Sequence, residues 1–124
     1  MKEILIIAAL FLAAASSNGD TIARGERVFN KCKMCHSLEE GKNKVGPSLY
    51  GLFDRKIGTV EKYRYSKAMK NLDFVWDGII LDVFIAKPKL TIPKTKMSFR
   101  GIRKREDRKA LIEYLYEATK PKEE

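Results

Sequence analysis

The sequence predicts a mostly α domain of about four to five helices joined by long loops. Three observations predict it. Apolar residues recur at helical spacing near the carboxyl end, where Ala110, Leu111, Tyr114, Leu115 and Ala118 share one stripe. No sustained alternation, hairpin signal or internal repeat occurs. Residues 37–60 are punctuated by Gly41, Gly46-Pro47, Gly51 and Gly58. A compact domain seldom spends more than about 15 residues on structureless loop unless the loop covers a ligand or carries function.

The amino terminus reads as a leader. Met1-Lys2-Glu3 precedes an apolar run of 12 residues, Ile4 to Ala15, and Ala15-Ser16-Ser17 offers small residues for cleavage. The expected division is a signal peptide over residues 1–17 and one folded domain over residues 18–124, exported to the periplasm. The run is shorter than the roughly 20 residues that span a bilayer. The alternative is retention on the membrane through an uncleaved amino-terminal segment.

The chain of 124 residues carries 25 Lys and Arg against 16 Asp and Glu, a net charge of +9. Lys2 and Glu3 cancel, so the domain keeps that charge after cleavage. Nucleic acid is not the expected partner, because the chain reads as exported and carries no recognition motif. An acidic protein face fits, as does an anionic membrane surface. The domain is expected to be a monomer.

In chain order, Asn18 to Ile22 reads as a polar lead and Ala23 to Lys33 as a short helix. Gly25 and Phe29 fall on one face of it, the glycine allowing close approach of another helix. Ser66 to Asn71 predicts a short helix. Asp77 is an N-cap for a helix over Gly78 to Ala86, which stops before Pro88. Lys87 to Arg100, with Pro88 and Pro93, predicts a constrained loop. The last helix runs from about Lys104 to Thr119.

Within this frame, Cys32-Lys33-Met34-Cys35-His36 matches C-x-x-C-H, the attachment sequence of a c-type haem. Two thiols two residues apart can each add to a vinyl group of one porphyrin, and the adjacent imidazole reaches the iron. A structural zinc site needs more ligands than two Cys and one His. A thiol-disulfide oxidoreductase using Cys32 and Cys35 is the competing function, but it calls for a βαβ pattern that is absent here. With no second histidine, methionine is the candidate for the remaining axial position. Met34 sits between the anchoring cysteines and cannot reach the opposite face. Met69 lies in an amphipathic segment suited to packing, whereas Met97 follows the stiff Thr91-Ile92-Pro93-Lys94-Thr95-Lys96 stretch and is preferred. A His/Met site has no open position and suits electron transfer. If Met97 is not a ligand, a haem peroxidase-like enzyme is the alternative.

The chain resembles the class I cytochromes c, specifically the mitochondrial type and its close bacterial relatives. The resemblance rests on Gly25-Glu26-Arg27-Val28-Phe29, the C-x-x-C-H motif, Val45-Gly46-Pro47-Ser48-Leu49-Tyr50-Gly51-Leu52-Phe53 and Arg55-Lys56. It continues through Tyr65-Ser66, Trp76, Ile92-Pro93 with Thr95-Lys96-Met97, and Leu111-Ile112-Glu113-Tyr114-Leu115. It implies a class I cytochrome c fold around one haem c bound through Cys32 and Cys35, with His36 and Met97 as iron ligands. Pro47 would accept a hydrogen bond from His36. Arg55, Tyr65 and Trp76 would serve a haem propionate, Thr95 would orient the distal loop, and Phe99 would cover the haem edge. The terminal helices would cross where Gly25 and Phe29 meet Leu111 and Tyr114.

Three positions depart from the family pattern. Phe84 replaces a tyrosine, Met69 an asparagine and Lys94 a loop glycine, which implies a more apolar distal pocket. The resemblance also implies a docking face of Lys31, Lys33, Lys44, Lys89, Lys96, Arg103 and Lys104, with Lys94 added. The implied partners are a cytochrome bc complex as electron donor and a haem-copper terminal oxidase as acceptor in a respiratory chain.

Overall fold

The computed structural model describes the backbone of residues 13–123 and the side chains of residues 18–123. Its helices are α1 (Ala13–Phe29), α2 (Lys67–Lys70), α3 (Gly78–Ala86), α4 (Pro88–Thr91) and α5 (Arg105–Ala118). The described residues form no strand, and extended pairing is confined to an antiparallel bridge between Lys56 and Val75. The mostly helical class read from the sequence is the class observed.

Helix α1 starts and stops earlier than the sequence predicts. Ala13, Ala14 and Ala15 are strong helix formers, and the helix they begin continues through Asn18-Gly19-Asp20, which in isolation reads as a polar lead. Of the leader expected over residues 1–17, residues 1–12 lie outside the described residues and 13–17 form the first part of α1. At the other end the spiral tightens. Asn30, Lys31 and Cys32 donate to the carbonyls of Arg27, Val28 and Phe29 at 3.2, 3.1 and 2.8 Å, each three residues back. This narrower winding ends the α-helix at Phe29 and carries the chain into the cysteine motif as turns.

The remaining helices follow their local chemistry. Ser66 caps α2 by accepting from Met69 N–H, and Asp77 caps α3 by accepting from Ile80 N–H at 2.8 Å. Helix α4 is a single turn opened by Pro88 at its first position. It lies within the stretch read as constrained loop. Glu106 and Asp107 occupy the first turn of α5, where carboxylates complement the helix dipole. Arg108 ties α5 to α3 by donating from Nε to Asp82 at 2.7 Å.

The core forms where α1, α3 and α5 meet and extends beneath the loops through Leu52, Ile57, Trp76, Ile92 and Ile102. Phe29, Leu111 and Leu115 are nearly sealed from solvent, and each contributes about 1.5–3 kcal/mol by burial. The α1–α5 crossing is centred on Gly25. A Cβ there would collide with the Ala110 carbonyl oxygen and lie 2.6 Å from Tyr114 Cβ. The Phe29 and Tyr114 rings stack obliquely beside it at 5.5 Å, and Arg24 pairs with Asp107 at 2.8 Å.

Replacing Gly25 with alanine adds about 1 kcal/mol of helix propensity but forces two backbones apart. Gly25→Ala is therefore expected to destabilise the fold by about 1–3 kcal/mol, read from the urea midpoint. An unchanged or raised midpoint would show that the helices can separate freely at this point.

Candidate functional site

The turn at the end of α1 gathers the motif. Cys35 and His36 both donate their N–H groups to the Cys32 carbonyl, at 3.1 and 2.9 Å. The two cysteines therefore stand one tight turn apart with the imidazole directly after them. Cys32 is half-buried and packs on the core, while Cys35 is exposed. Burial, reinforced by Cys35 and opposed by Lys31, pushes the Cys32 thiol up to about 11.

His36 is held from two sides. Its Nδ1 lies 2.8 Å from the Pro47 carbonyl oxygen. A carbonyl can only accept, so Nδ1 carries the proton and Nε2 keeps its lone pair. The ring lies against Gly46, where a Cβ would clash with Cε1 and sit 2.8 Å from Nδ1. Burial lowers the His36 pKa, the Pro47 hydrogen bond opposes this, and Arg55 and Lys44 lower it further. The ring is therefore neutral at physiological pH, and Nε2 has no partner among the described residues.

A second group is assembled by a short antiparallel pairing. Trp76 N–H donates to the Arg55 carbonyl at 2.9 Å, and Asp54 N–H donates to the Trp76 carbonyl at 2.8 Å. Arg55 Nη1 donates to the carbonyls of Ser48 and Tyr50 at 3.1 and 2.9 Å, yet no carboxylate pairs with this guanidinium among the described residues. Burial lowers its pKa, with Tyr65 opposing. The Tyr65 hydroxyl accepts from Val60 N–H at 3.1 Å, which leaves its own proton to donate. Trp76 is buried, and its indole N–H has no acceptor among the described residues. Spare donors on three neighbouring side chains suit a carboxylate-bearing group.

On the far segment, Met97 and Phe99 are half-buried and pack on the same core cluster as Cys32 and Tyr65. Thr95 is buried, and its hydroxyl accepts from Met97 N–H at 3.3 Å. Met69, on α2, is buried in the core, and Met34 is 83% exposed between the cysteines. The thiols, the free Nε2, the spare donors and the Met97 thioether together match a haem with its iron, vinyl groups and propionates.

All eight residues of the expected docking face are exposed. Lys44 Nζ donates to the Lys33 carbonyl at 2.5 Å and Lys96 Nζ to the Arg64 carbonyl at 2.9 Å. Lys89 and Phe99 line an open groove of about 410 Å³ together with Lys87, Leu90, Ser98 and Arg100. A larger groove of about 810 Å³, bordered by Ile22, Phe53, Ile112 and Tyr116, contains none of the site residues. It has no counterpart in the chemistry of the haem site.

Sequence reasoning passed over several supports. Tyr63 donates its hydroxyl to the Val45 carbonyl at 2.8 Å and meets the Tyr65 ring edge-on at 4.8 Å. The Tyr63-x-Tyr65 spacing was a usable signal for this pair. Asn43 accepts from Ser48 N–H at 2.9 Å and braces the loop before Pro47. Nothing in the local sequence marks Asn43. Phe84, the departure from the family tyrosine, is buried with its ring 5.3 Å from Trp76.

Known proteins share much of this sequence. The family model described as cytochrome c matches residues 22–119. The chain is similar to cytochrome c2 iso-1 of Magnetospirillum fulvum, 52% identical over 89 residues, covering 70% of this chain and 90% of that protein. It is similar to cytochrome c of Gibberella zeae, 43% identical over 104 residues and covering 82% and 98%. It is also similar to cytochrome c2 of Blastochloris viridis, 42% identical over 114 residues and covering 89% and 90%.

Burial raises the pKa of both Tyr63 and Tyr65. In the unfolded chain such phenols ionise near pH 10, so their contribution is intact below that value and lost as pH rises through the higher folded values. Stability is expected to fall as pH rises above about 10, and Tyr65→Phe to make the fall shallower, in urea titrations at stepped pH. An identical slope in the variant would remove Tyr65 from the effect.

Proposed function

Because the chain belongs to the cytochrome c family, we propose that it is an exported, mobile electron carrier between a cytochrome bc complex and a haem-copper terminal oxidase of a respiratory chain. Members of the family are single-haem electron carriers, not enzymes, and the haem c of this chain is held covalently through Cys32 and Cys35. When bound, its iron supplies a one-electron couple. The proposed iron ligands are His36 and Met97.

The observation that carries this reading is the clamped imidazole. Pro47 and Gly46 hold the ring in one tautomer and one plane, so the Nε2 lone pair is oriented before any ligand arrives. The hydrogen bond to Pro47 also makes Nε2 a stronger donor to a metal. Arg55, Tyr65 and Trp76 would then neutralise a propionate whose burial is otherwise costly. Thr95 would steady the segment that presents Met97, and Phe99 would shield the edge through which the electron passes. The thiol-disulfide alternative loses support, since the chain belongs to a family of haem-bearing electron carriers.

Docking is proposed to use the exposed cations Lys31, Lys33, Lys44, Lys89, Lys94, Lys96, Arg103 and Lys104. An expected leader at residues 1–17 would give a periplasmic setting after cleavage, with membrane retention as the outcome if it is not cut. An anionic membrane surface would attract the same cations.

Two measurements test the reading. In the ferric holoprotein, Met97→Ala is expected to abolish the iron–thioether charge-transfer band while Met69→Ala keeps it; the reverse would exchange their roles. Electron transfer to a purified terminal oxidase should be steered by about 10- to 1,000-fold at low salt and slow as ionic strength rises. Rates that climb with salt would rule out a positive docking face.

A further inference from the structure

Among the described residues, the non-glycine positions with left-handed backbone are Asp54 (φ 67°), Lys62 (φ 62°) and Lys94 (φ 67°). Each is the third residue of a four-residue turn closed by a backbone hydrogen bond. Arg55 N–H donates to the Leu52 carbonyl at 3.3 Å, Tyr63 N–H to Val60 at 3.4 Å and Thr95 N–H to Ile92 at 3.1 Å. Proline second and a positive φ third, as in Ile92-Pro93-Lys94-Thr95, is the signature of a type II turn, whose third position ordinarily needs glycine. Gly41 and Gly51 fill that position in two other turns of this chain. A side chain held there disfavours the folded turn by a factor of roughly five to thirty.

The Lys94 turn differs from the other two in the residues that come after it. The next residue is buried Thr95, whose hydroxyl holds the Met97 N–H, and then Lys96, whose ammonium is tied to the Arg64 carbonyl. The exposed Lys94 side chain makes no hydrogen bond or ion pair among the described residues, so nothing offsets its strain locally. Opening residues 92–97 lets Lys94 relax to negative φ. The α1–α5 crossing lies outside this segment.

From this we infer that Lys94 is a positioning residue that eases opening of the 92–97 segment, so that a small neutral nitrogen ligand can replace Met97 while the helices stay folded. The inference rests on Met97 as the distal ligand. In the exchange an iron–sulfur bond breaks and an iron–nitrogen bond forms, with no electron transferred. The lysine at the turn thus raises the affinity for such a ligand above what a glycine there would allow.

The test uses ferric holoprotein of the wild type, Lys94→Gly, Lys94→Ala and Lys62→Gly, each titrated with imidazole and followed by hydrogen exchange at the Thr95 and Met97 amides. Lys94→Gly is expected to bind imidazole about five- to thirty-fold more weakly, with exchange at both amides slowed by a similar factor. Lys94→Ala keeps a Cβ in the strained position, and Lys62→Gly relieves a different turn, so both should stay within about two-fold of wild type. Equal affinities in Lys94→Gly and wild type would overturn the inference. So would Lys62→Gly matching Lys94→Gly, which marks a global effect, or Lys94→Ala matching it, which marks a charge effect. Absence of the iron–thioether band from the wild type would instead refute Met97 ligation, and the inference with it.

Discussion

The contact between His36 and the Pro47 carbonyl is the constraint from which the site is built. It joins the end of α1 to a loop eleven residues further on, and that loop is laid down by bonds to the motif itself. Gly46 N–H donates to the Cys35 carbonyl at 2.7 Å and Leu49 N–H to the Ser37 carbonyl at 2.9 Å. These bonds bring Gly46 against the imidazole and leave no room for a side chain between them. They also bring Ser48 and Tyr50 to where their carbonyls receive Arg55, so the proximal clamp and the neighbouring cation share one loop.

The helices were largely legible in the sequence, because the signals that mark them are local. Asp77 before an apolar run and Pro88 after it delimit α3, and the stripe from Ala110 to Ala118 locates α5 within a residue at each end. The start of α1 was not, since Asn18-Gly19-Asp20 looks like a break unless the alanines before it are counted as helix. Cysteine spacing made the proximal half of the site plain. What no local pattern shows is pairing across the chain: that Trp76 lies beside Arg55, or that Tyr63 reaches the Val45 carbonyl. Non-glycine residues at turn positions that normally take glycine are hidden for the same reason, because Asp54 and Lys62 read as ordinary polar loop residues. Their backbone conformation is decided by the turns around them.

Charge is sorted more finely than a net value suggests. The two surface grooves share no residue and carry opposite signs. Asp54, Asp77, Glu113 and Glu117 border the larger with no cation among its lining, whereas Lys87, Lys89 and Arg100 border the smaller with no acid. Separation of this kind gives the molecule a dipole as well as a net charge of +9, so an external field turns it as well as attracting it. Orientation matters for a protein whose redox group communicates through one edge.

The crossing of α1 and α5 also governs when the chain can fold. Arg24 and Asp107, which pair beside Gly25, are 83 residues apart in sequence. Closing so large a loop is an entropic cost that helix contacts repay only after both partners exist. During vectorial synthesis the amino-terminal helix therefore waits, with its apolar face unpaired, until residues near 110 have been made. Until then the cysteine motif sits on an open chain, where both thiols are within reach of solvent and of whatever attaches the porphyrin.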